Sequence, residues 1–359
     1  GELTDADGDG VPDICESYSV PGEYATIQAA IDAVPADAFG LVSVAAGTYN
    51  ESFSLNGKNV VVRGAPKGAT ILDGTGLTTS IARFAGNEPA TAGVENLVFR
   101  NGTTGSLITP QTTFLVGGGL FGANSSAFIR NCRFEQNGSD FGAGAYLYRC
   151  SMLVEDCVFD ANTAVREGGG LQVYETTGTV RNTMFSGNRS GVKGPGSGSG
   201  FKSVGALAND ESVTLEGCTV TGCVSSVEGS AVEHFENAAA RRGVLRLVAT
   251  SITANTSGLG AGGVRALGNL GCVVLSEGSE VCGNLQGNID GPYLIDGAAT
   301  VCDCLADLTG DGLVNGGDLG IVLNSWGVAG PQGYGDVNHD GVIDGVDLSY
   351  LLSNWGACP

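Results

Sequence analysis

The chain has 359 residues, 60 of them glycine, and carries a formal net charge of −21 although only 15% of it is charged. With 17 basic residues against 38 acidic ones and no basic stripe, nucleic acid is excluded as a partner, because phosphates need cations to neutralise them. No run of 18 apolar residues occurs, so no helix is predicted to span a membrane.

The first element in chain order is DADGDGVPDICE from Asp5. Asp5, Asp7, Asp9, Asp13 and Glu16 place side-chain oxygens at positions 1, 3, 5, 9 and 12 of a calcium loop. Val11 offers its carbonyl at position 7, and Gly10 takes the sharp turn. The same spelling returns twice near the other end. There the ligand positions are Asp307, Thr309, Asp311, Leu313, Asn315 and Asp318, then Asp336, Asn338, Asp340, Val342, Asp344 and Asp347. Three such loops predict about three Ca²⁺ sites and a calcium-rich setting, so a secreted or cell-surface protein is expected. The loops hold 12 of the 38 carboxylates, and three bound ions would bring the net charge to about −15. Gly1 reads as the start of a processed chain. An acidic polysaccharide is disfavoured as a ligand except through calcium bridges.

Next comes YATIQAAIDAVPA from Tyr24, with Ile27, Ala30, Ile31 and Val34 on one helical face. It is predicted to cap the open end of the array that follows. That array repeats a short rule: apolar, two free, small, one free, apolar, two free, Asn. Copies start at Val94, Ile129, Val154, Val180 and Leu215, with weaker ones at Leu247 and Ser276. Gly-rich corners at Gly117, Gly142, Gly168, Gly198, Gly229 and Ala261 lie between them. Short strands at this irregular spacing, without helices between them, predict an all-β fold, a right-handed parallel β-helix. Residues 41–300 would give roughly 10 coils about 4.8 Å apart, a rod on the order of 50 Å long.

Stacking predicts columns. Phe134, Phe159 and Phe185 form an internal one, continued by Val220 and Ile252. Cys132, Cys157, Thr183, Cys218, Thr250 and Ser279 form a column of small buried residues. Asn137, Asn162, Asn188, Asn255 and Asn284 form an amide ladder at a turn, where Asn tolerates φ > 0. There are 11 cysteines. In an oxidising compartment some should pair, and Cys304 with Cys358 would clasp the last calcium module.

Catalytic signals are sparse. His339 lies inside a calcium loop, and His234 is expected on the outer surface. Asp140, Asp156, Asp160, Glu167 and Glu175, with Arg149 and Arg166 nearby, are the best candidate patch for a lyase or hydrolase, although a solvated outer face with salt bridges is the expected reading. Tyr146, Tyr148 and Tyr174 follow Gly corners and could stack on sugars, or sit half buried. The Gly-rich insert from Arg189 precedes no helix and is read as a loop, not a phosphate cradle.

The closing helices, DLGIVLNSWG from Asp318 and DLSYLLSNWG from Asp347, match position by position. Leu319, Val322, Leu323 and Trp326 correspond to Leu348, Leu351, Leu352 and Trp355, with each Trp expected to pack at a helix end.

Four resemblances follow from these residues. IQAAIDAV, AAGTYNE and KNVVVRG resemble the opening of pectin-lyase-like β-helix proteins. The Gly-corner and F-x-x-N punctuation over residues 90–290 is similar to repeats of the polymorphic outer-membrane proteins, which implies a surface adhesin. The N-terminal loop resembles a thrombospondin type 3 repeat. Residues 304–358 resemble a type I dockerin, a duplicated calcium-loop-and-helix module. Gly316, Gly317, Gly345 and Val346 depart from the polar pair that a cohesin-binding dockerin implies. The polygalacturonase signatures are absent, and GTYNE at Gly47 matches a pectinesterase box without its later partners.

The expected organisation is therefore a calcium loop over 1–20, a capped β-helix over 21–303 and a dockerin-like tandem calcium module over 304–359. The expected function is a non-catalytic, calcium-stabilised adhesive or self-assembling subunit. Its ends would join through the calcium modules, head to tail in a filament, or bind another extracellular protein. The alternative is a polysaccharide lyase or hydrolase acting on uronic-acid polymers.

Overall fold

The computed structural model describes residues 17–103, 106–108, 113–192, 198–205, 212–226, 229–236, 244–258, 260–267, 272–301, 306–309, 313–328, 335–337 and 342–357. The short apolar strands pair with the equivalent strand one repeat away. Four parallel sheets result. The first has 11 strands, from Ser17–Val20 to Tyr293–Asp296; the second has 10, from Gly47–Tyr49 to Thr300–Val301. The third has nine, from Phe53–Ser54 to Ile289–Asp290, and a short fourth sheet of five runs from Gly138–Phe141 to Thr256–Ser257. One coil reads Phe128–Arg130, Arg133–Glu135, Gly138–Phe141 and Ala145–Tyr148, visiting the first, second, fourth and third sheets in turn. This is a parallel β-helix.

The aromatic column forms as expected and extends in both directions. Phe99, Phe134, Phe159, Phe185, Val220, Ile252 and Val281 are in register and fully buried. The first four rings stack with centroids 4.7, 4.7 and 5.0 Å apart. Glycine makes room for them. A Cβ on Gly144 would lie 2.5 Å from the Gly170 carbonyl oxygen and 2.8 Å from the Phe159 ring.

The amide ladder also forms. Asn137 Nδ2 donates to Asn162 Oδ1 at 2.9 Å, Asn162 Nδ2 to Asn188 Oδ1 at 3.0 Å, and Asn255 Nδ2 to Asn284 Oδ1 at 2.9 Å. Cys223 takes the ladder's place in the coil between Asn188 and Asn255. One expectation fails: the ladder residues are not the left-handed ones. Positive φ falls one residue earlier, at Gln136 (56°), Ala161 (53°), Gly187 (59°), Ala254 (56°) and Gly283 (59°). Turning the chain there aims the next side chain inward, where its amide bonds along the rod.

The small column is confirmed as packing. Cys132, Cys157 and Cys218 are free and buried, and Thr183, Thr250 and Ser279 complete the column with hydroxyls bonded to backbone. Burial pushes the Cys150 thiol up to about 11 and those of Cys218 and Cys223 to about 12; Cys132 is also raised. Since the thiolate is the reactive form, these cysteines should resist alkylation in the native protein and label fully in denaturant. Mass spectrometry before and after unfolding checks this; rapid native labelling would contradict the buried column. Cys282 is disulfide-bonded to a partner outside the described residues. The Cys304–Cys358 pair also lies outside them.

The β-helix starts earlier than expected. Ser17–Val20 pairs in parallel with Phe39–Val44, so the first strand precedes the capping helix and falls inside the segment assigned to the calcium loop. Helix α1 (Ile27–Ala33) begins at the Thr26 cap, whose hydroxyl accepts from Ala29 N at 3.1 Å. It buries Ile27, Ala30, Ile31 and Val34 in one cluster with Tyr18, Val20, Val42 and Val60, as its face predicts.

Ion pairs link neighbouring coils outside. Asp73 shows their pH sense. Burial alone would raise its carboxyl, but donors from Thr75, Asn101 and Arg100 outweigh it and hold the group well below the usual range. A carboxyl depressed on folding stabilises above the unfolded value of about 3.9, and that contribution is lost as pH falls below it. Asp73→Asn should therefore weaken stability at neutral pH and flatten the acid limb of a stability–pH curve. An unchanged acid limb would remove Asp73 from the account.

Candidate calcium module and charged flank

Along the third sheet, residues alternate between the interior and the outer flank. The outward column runs Arg83, Phe121, Tyr146, Gln172, Lys202, Glu233, Arg265 and Asp290, each paired with the next. Its first part is aromatic. Phe121 and Tyr146 stack at 6.4 Å and cluster with Phe141, Tyr148 and Tyr174. Burial pushes the Tyr146 phenol up, and the neighbouring Tyr174, Tyr148, Glu167 and Glu175 add to it.

The second part alternates in charge. Lys202 Nζ lies 2.9 Å from Glu167 Oε2 and 3.0 Å from Glu233 Oε1, and Arg265 Nε lies 3.2 Å from Asp290 Oδ2. Lys202 is 4% exposed and Glu233 1%. Glu233 Oε2 and Gln172 Oε1 are buried acceptors without a hydrogen-bond partner among the described residues. Lys202→Met would leave two carboxylates facing each other without their cation. A loss of about 3–5 kcal/mol is expected, read from urea unfolding; a change within error would mean that the lysine is not the keystone of the column.

The structure divides the acidic patch. Glu167 and Glu175 belong to this flank, bonded to Lys202 and Arg149. Arg149 lies over the Tyr148 ring at 4.8 Å, and Arg166 over Phe141 at 5.8 Å. Asp140 accepts from Leu115 N at 3.3 Å. Asp156 sits at the corner between the first and second sheets with φ 54°, and Asp160 on the second sheet pairs with Arg133 at 3.2 Å. Neither belongs to the flank. His234 is also corrected: it is 3% exposed, with Nδ1 2.8 Å from Ser203 Oγ. It stands two residues after the buried Val232, so strand alternation turns it inward. Tyr148 and Tyr174 are half-buried and Tyr146 is buried.

The C-terminal module repeats one geometry twice. Helices α2 (Gly316–Asn324) and α3 (Gly345–Ser353) start at Asn315 and Asp344, each with a capping box closed by Asp318 or Asp347. Both oxygens of Asp318 accept backbone N–H groups, from Thr309 at 2.8 Å and Asn315 at 2.8 Å. Asp347 does the same for Val337 at 2.7 Å and Asp344 at 2.8 Å. Burial alone would raise the Asp318 carboxyl, but these bonds prevail and lower it. Leu313–Val314 pairs antiparallel with Gly356–Ala357, and Gly327–Val328 with Val342–Ile343. Each half therefore closes the other, around Ala306, Val314, Val322, Val337, Ile343 and Leu351.

The two tryptophans depart from expectation. Trp326 and Trp355 stand two residues past the ends of α2 and α3 and are 50% and 51% exposed rather than packed.

Asp307, Thr309, Leu313, Asn315 and Asp318 of one loop, and Asp336, Val342, Asp344 and Asp347 of the other, lie in the described residues. Asp311, Asn338, Asp340 and His339 do not, nor do Asp5, Asp7, Asp9, Val11, Asp13 and Glu16. Among the described residues no three His, Cys, Asp or Glu side chains gather round one point. The donor set is nevertheless all oxygen, as a hard cation requires, and each position-12 carboxylate is fixed at the loop's closing end. Ca²⁺ fits this chemistry.

The family described as right handed beta helix region matches residues 48–223 and 118–262, and the dockerin type I domain matches residues 305–354. Neither match reaches the N-terminal loop. Among solved structures, the chain is similar to the A-module of Azotobacter vinelandii mannuronan C-5 epimerase AlgE4, with 17% identity and a TM-score of 0.38 over 77% of this chain and 91% of that one. It is also similar to the tailspike protein gp49 of Acinetobacter baumannii bacteriophage Fri1, a capsular polysaccharide depolymerase. The identity there is 11% and the TM-score 0.32, over 73% of this chain and 57% of that one. No curated protein matches the chain.

Proposed function

The chain belongs to the right-handed β-helix family and carries a dockerin type I module, and from that premise we propose that it is a non-catalytic, calcium-stabilised structural or adhesive subunit working outside the cell. The module supplies the attachment, to another protein or to a further copy. One observation carries this reading: the outward carboxylates bind neighbouring coils together. Glu155 holds both Arg130 and Arg181, Asp160 holds Arg133, Glu175 holds Arg149, and Glu167 holds Lys202. Groups engaged in this way stiffen a rod and leave little free to act as acid or base.

Up to three Ca²⁺ ions would bind, two in the module and one at residues 5–16. Calorimetric titration of chelator-stripped protein tests this; fewer than two equivalents bound would remove the calcium-borne attachment.

A second reading, a lyase or hydrolase acting on uronic-acid polymers, is favoured by the unpartnered Glu233 and Gln172 oxygens beside Lys202, next to the tyrosines. Unsaturated products or new reducing ends that disappear in Glu233→Gln would raise it above the first.

A further inference from the structure

Gln172 and Lys202 are in-register partners on neighbouring strands of the third sheet, 2% and 4% exposed. Their side chains end on one atom. Glu167 Oε2 lies 2.9 Å from Lys202 Nζ and accepts from Gln172 Nε2 at 3.3 Å. From the next coil, Glu233 Oε1 holds the same amine at 3.0 Å, and the Phe235 ring centroid lies 5.9 Å from it. The other amide atom, Gln172 Oε1, is buried without a hydrogen-bond partner among the described residues. A buried primary amine and a buried carboxamide thus share one carboxylate oxygen. Nucleophile, acyl group and proton carrier are the three parts that acyl transfer from an amide to an amine requires.

We propose that Lys202 and Gln172 become joined by an isopeptide bond, a covalent rung between two coils that the folded chain forms on its own. Lys202 Nζ passes one proton to Glu167 Oε2, and the freed electron pair attacks Gln172 Cδ. The Cδ–Nζ bond forms and the Cδ–Nε2 bond breaks. Nε2 leaves as ammonia, taking a second proton from Nζ. Glu167 keeps the first as a carboxylic acid and donates it to Oε1, the acceptor that now lacks a partner. The last Nζ proton stays on Glu233 Oε1. One amide replaces another, so the fold's contribution is orientation, which makes the encounter unimolecular, and ammonia escapes to solvent. The bond would constrain the unfolded chain as a disulfide does, and it would survive reduction. This goes beyond the structural reading above and needs no activity toward a saccharide.

Mass spectrometry of the full chain, purified in calcium, incubated folded and then reduced and denatured, tests it. The expected mass is one ammonia below that of the sequence, and digestion should yield one branched peptide containing both Gln172 and Lys202. Lys202→Arg keeps a cation between the two carboxylates but offers no nucleophile, because a guanidinium does not give up its proton. That variant should fold, by circular dichroism, and show its full sequence mass. Glu167→Gln should also retain the ammonia. A chain that stays at full mass, or separate linear peptides bearing Gln172 and Lys202, would overturn the proposal. So would an ammonia loss that persists in Lys202→Arg, which would assign it to succinimide formation at an Asn-Gly pair. A cross-link that forms unhindered in Glu167→Gln would overturn the step as written.

Discussion

Replacing Asn162 by leucine is expected to cost on the order of 4 kcal/mol, since two buried donors would be orphaned at about 1–3 kcal/mol each. Leucine has nearly the shape of asparagine, so the loss is one of hydrogen bonds rather than volume. Asn162 is fully buried, and its Oδ1 accepts from both N and Nδ2 of Asn137, at 3.0 and 2.9 Å. Its Nδ2 donates to the Phe134 carbonyl at 2.9 Å as well as to Asn188. Without it, the Asn137 N–H and one Asn137 amide hydrogen lose their partner where water cannot reach them, and the Phe134 carbonyl keeps only its ladder bond to the next coil. A loss of that size is a large share of the stability of a typical domain. Phe159→Leu, three residues earlier in the same coil's core, is a milder change that keeps an apolar filler. Urea unfolding of both variants should therefore rank Asn162→Leu as much the worse. Equal losses would mean that ring stacking, not the amide ladder, fastens the coils.

Chelating calcium, or replacing Asp347 by alanine, should melt the C-terminal module and leave the rod standing. Asp347 closes its loop by holding two backbone N–H groups, and charge-assisted bonds of this kind contribute about 1.5–3 kcal/mol each. Among the described residues the module's core is six buried side chains, and so small a core cannot absorb that loss. The chain has two tryptophans, both in this module. Their emission therefore reports the module alone, while far-UV circular dichroism reports mainly the β-helix. The expected result is a tryptophan change on chelation with the β-sheet signal intact. Loss of both signals together would show that rod and module are one cooperative unit.

Much of the rod was legible because its columns are spelled in every repeat. Phenylalanine, small residue and asparagine recur at fixed offsets, and stacking converts offsets into contacts. What escaped were features set by neighbouring positions. The left-handed residue precedes each asparagine, and its identity varies from Gln136 to Ala161 to Gly187, so no single residue type marks it. The flank column escaped because its members are separated by loops of unequal length. A signal existed: Phe121, Tyr146, Gln172, Lys202 and Glu233 each stand four residues past the start of a Gly corner. Aligning the corners rather than the asparagine motif would have found it, and would have turned His234, one position later, inward. The exposed tryptophans were missed for a different reason. Sequence symmetry pairs Trp326 with Trp355 but does not say that each helix ends two residues short of its tryptophan.

The corners have a practical consequence. Every coil is fastened by the same few internal positions, whatever length of chain bulges out between them. Lengthening such a bulge changes only closure entropy, by about 0.6 kcal/mol per doubling. Foreign peptides grafted into such a bulge would be presented at a fixed height along a rigid support.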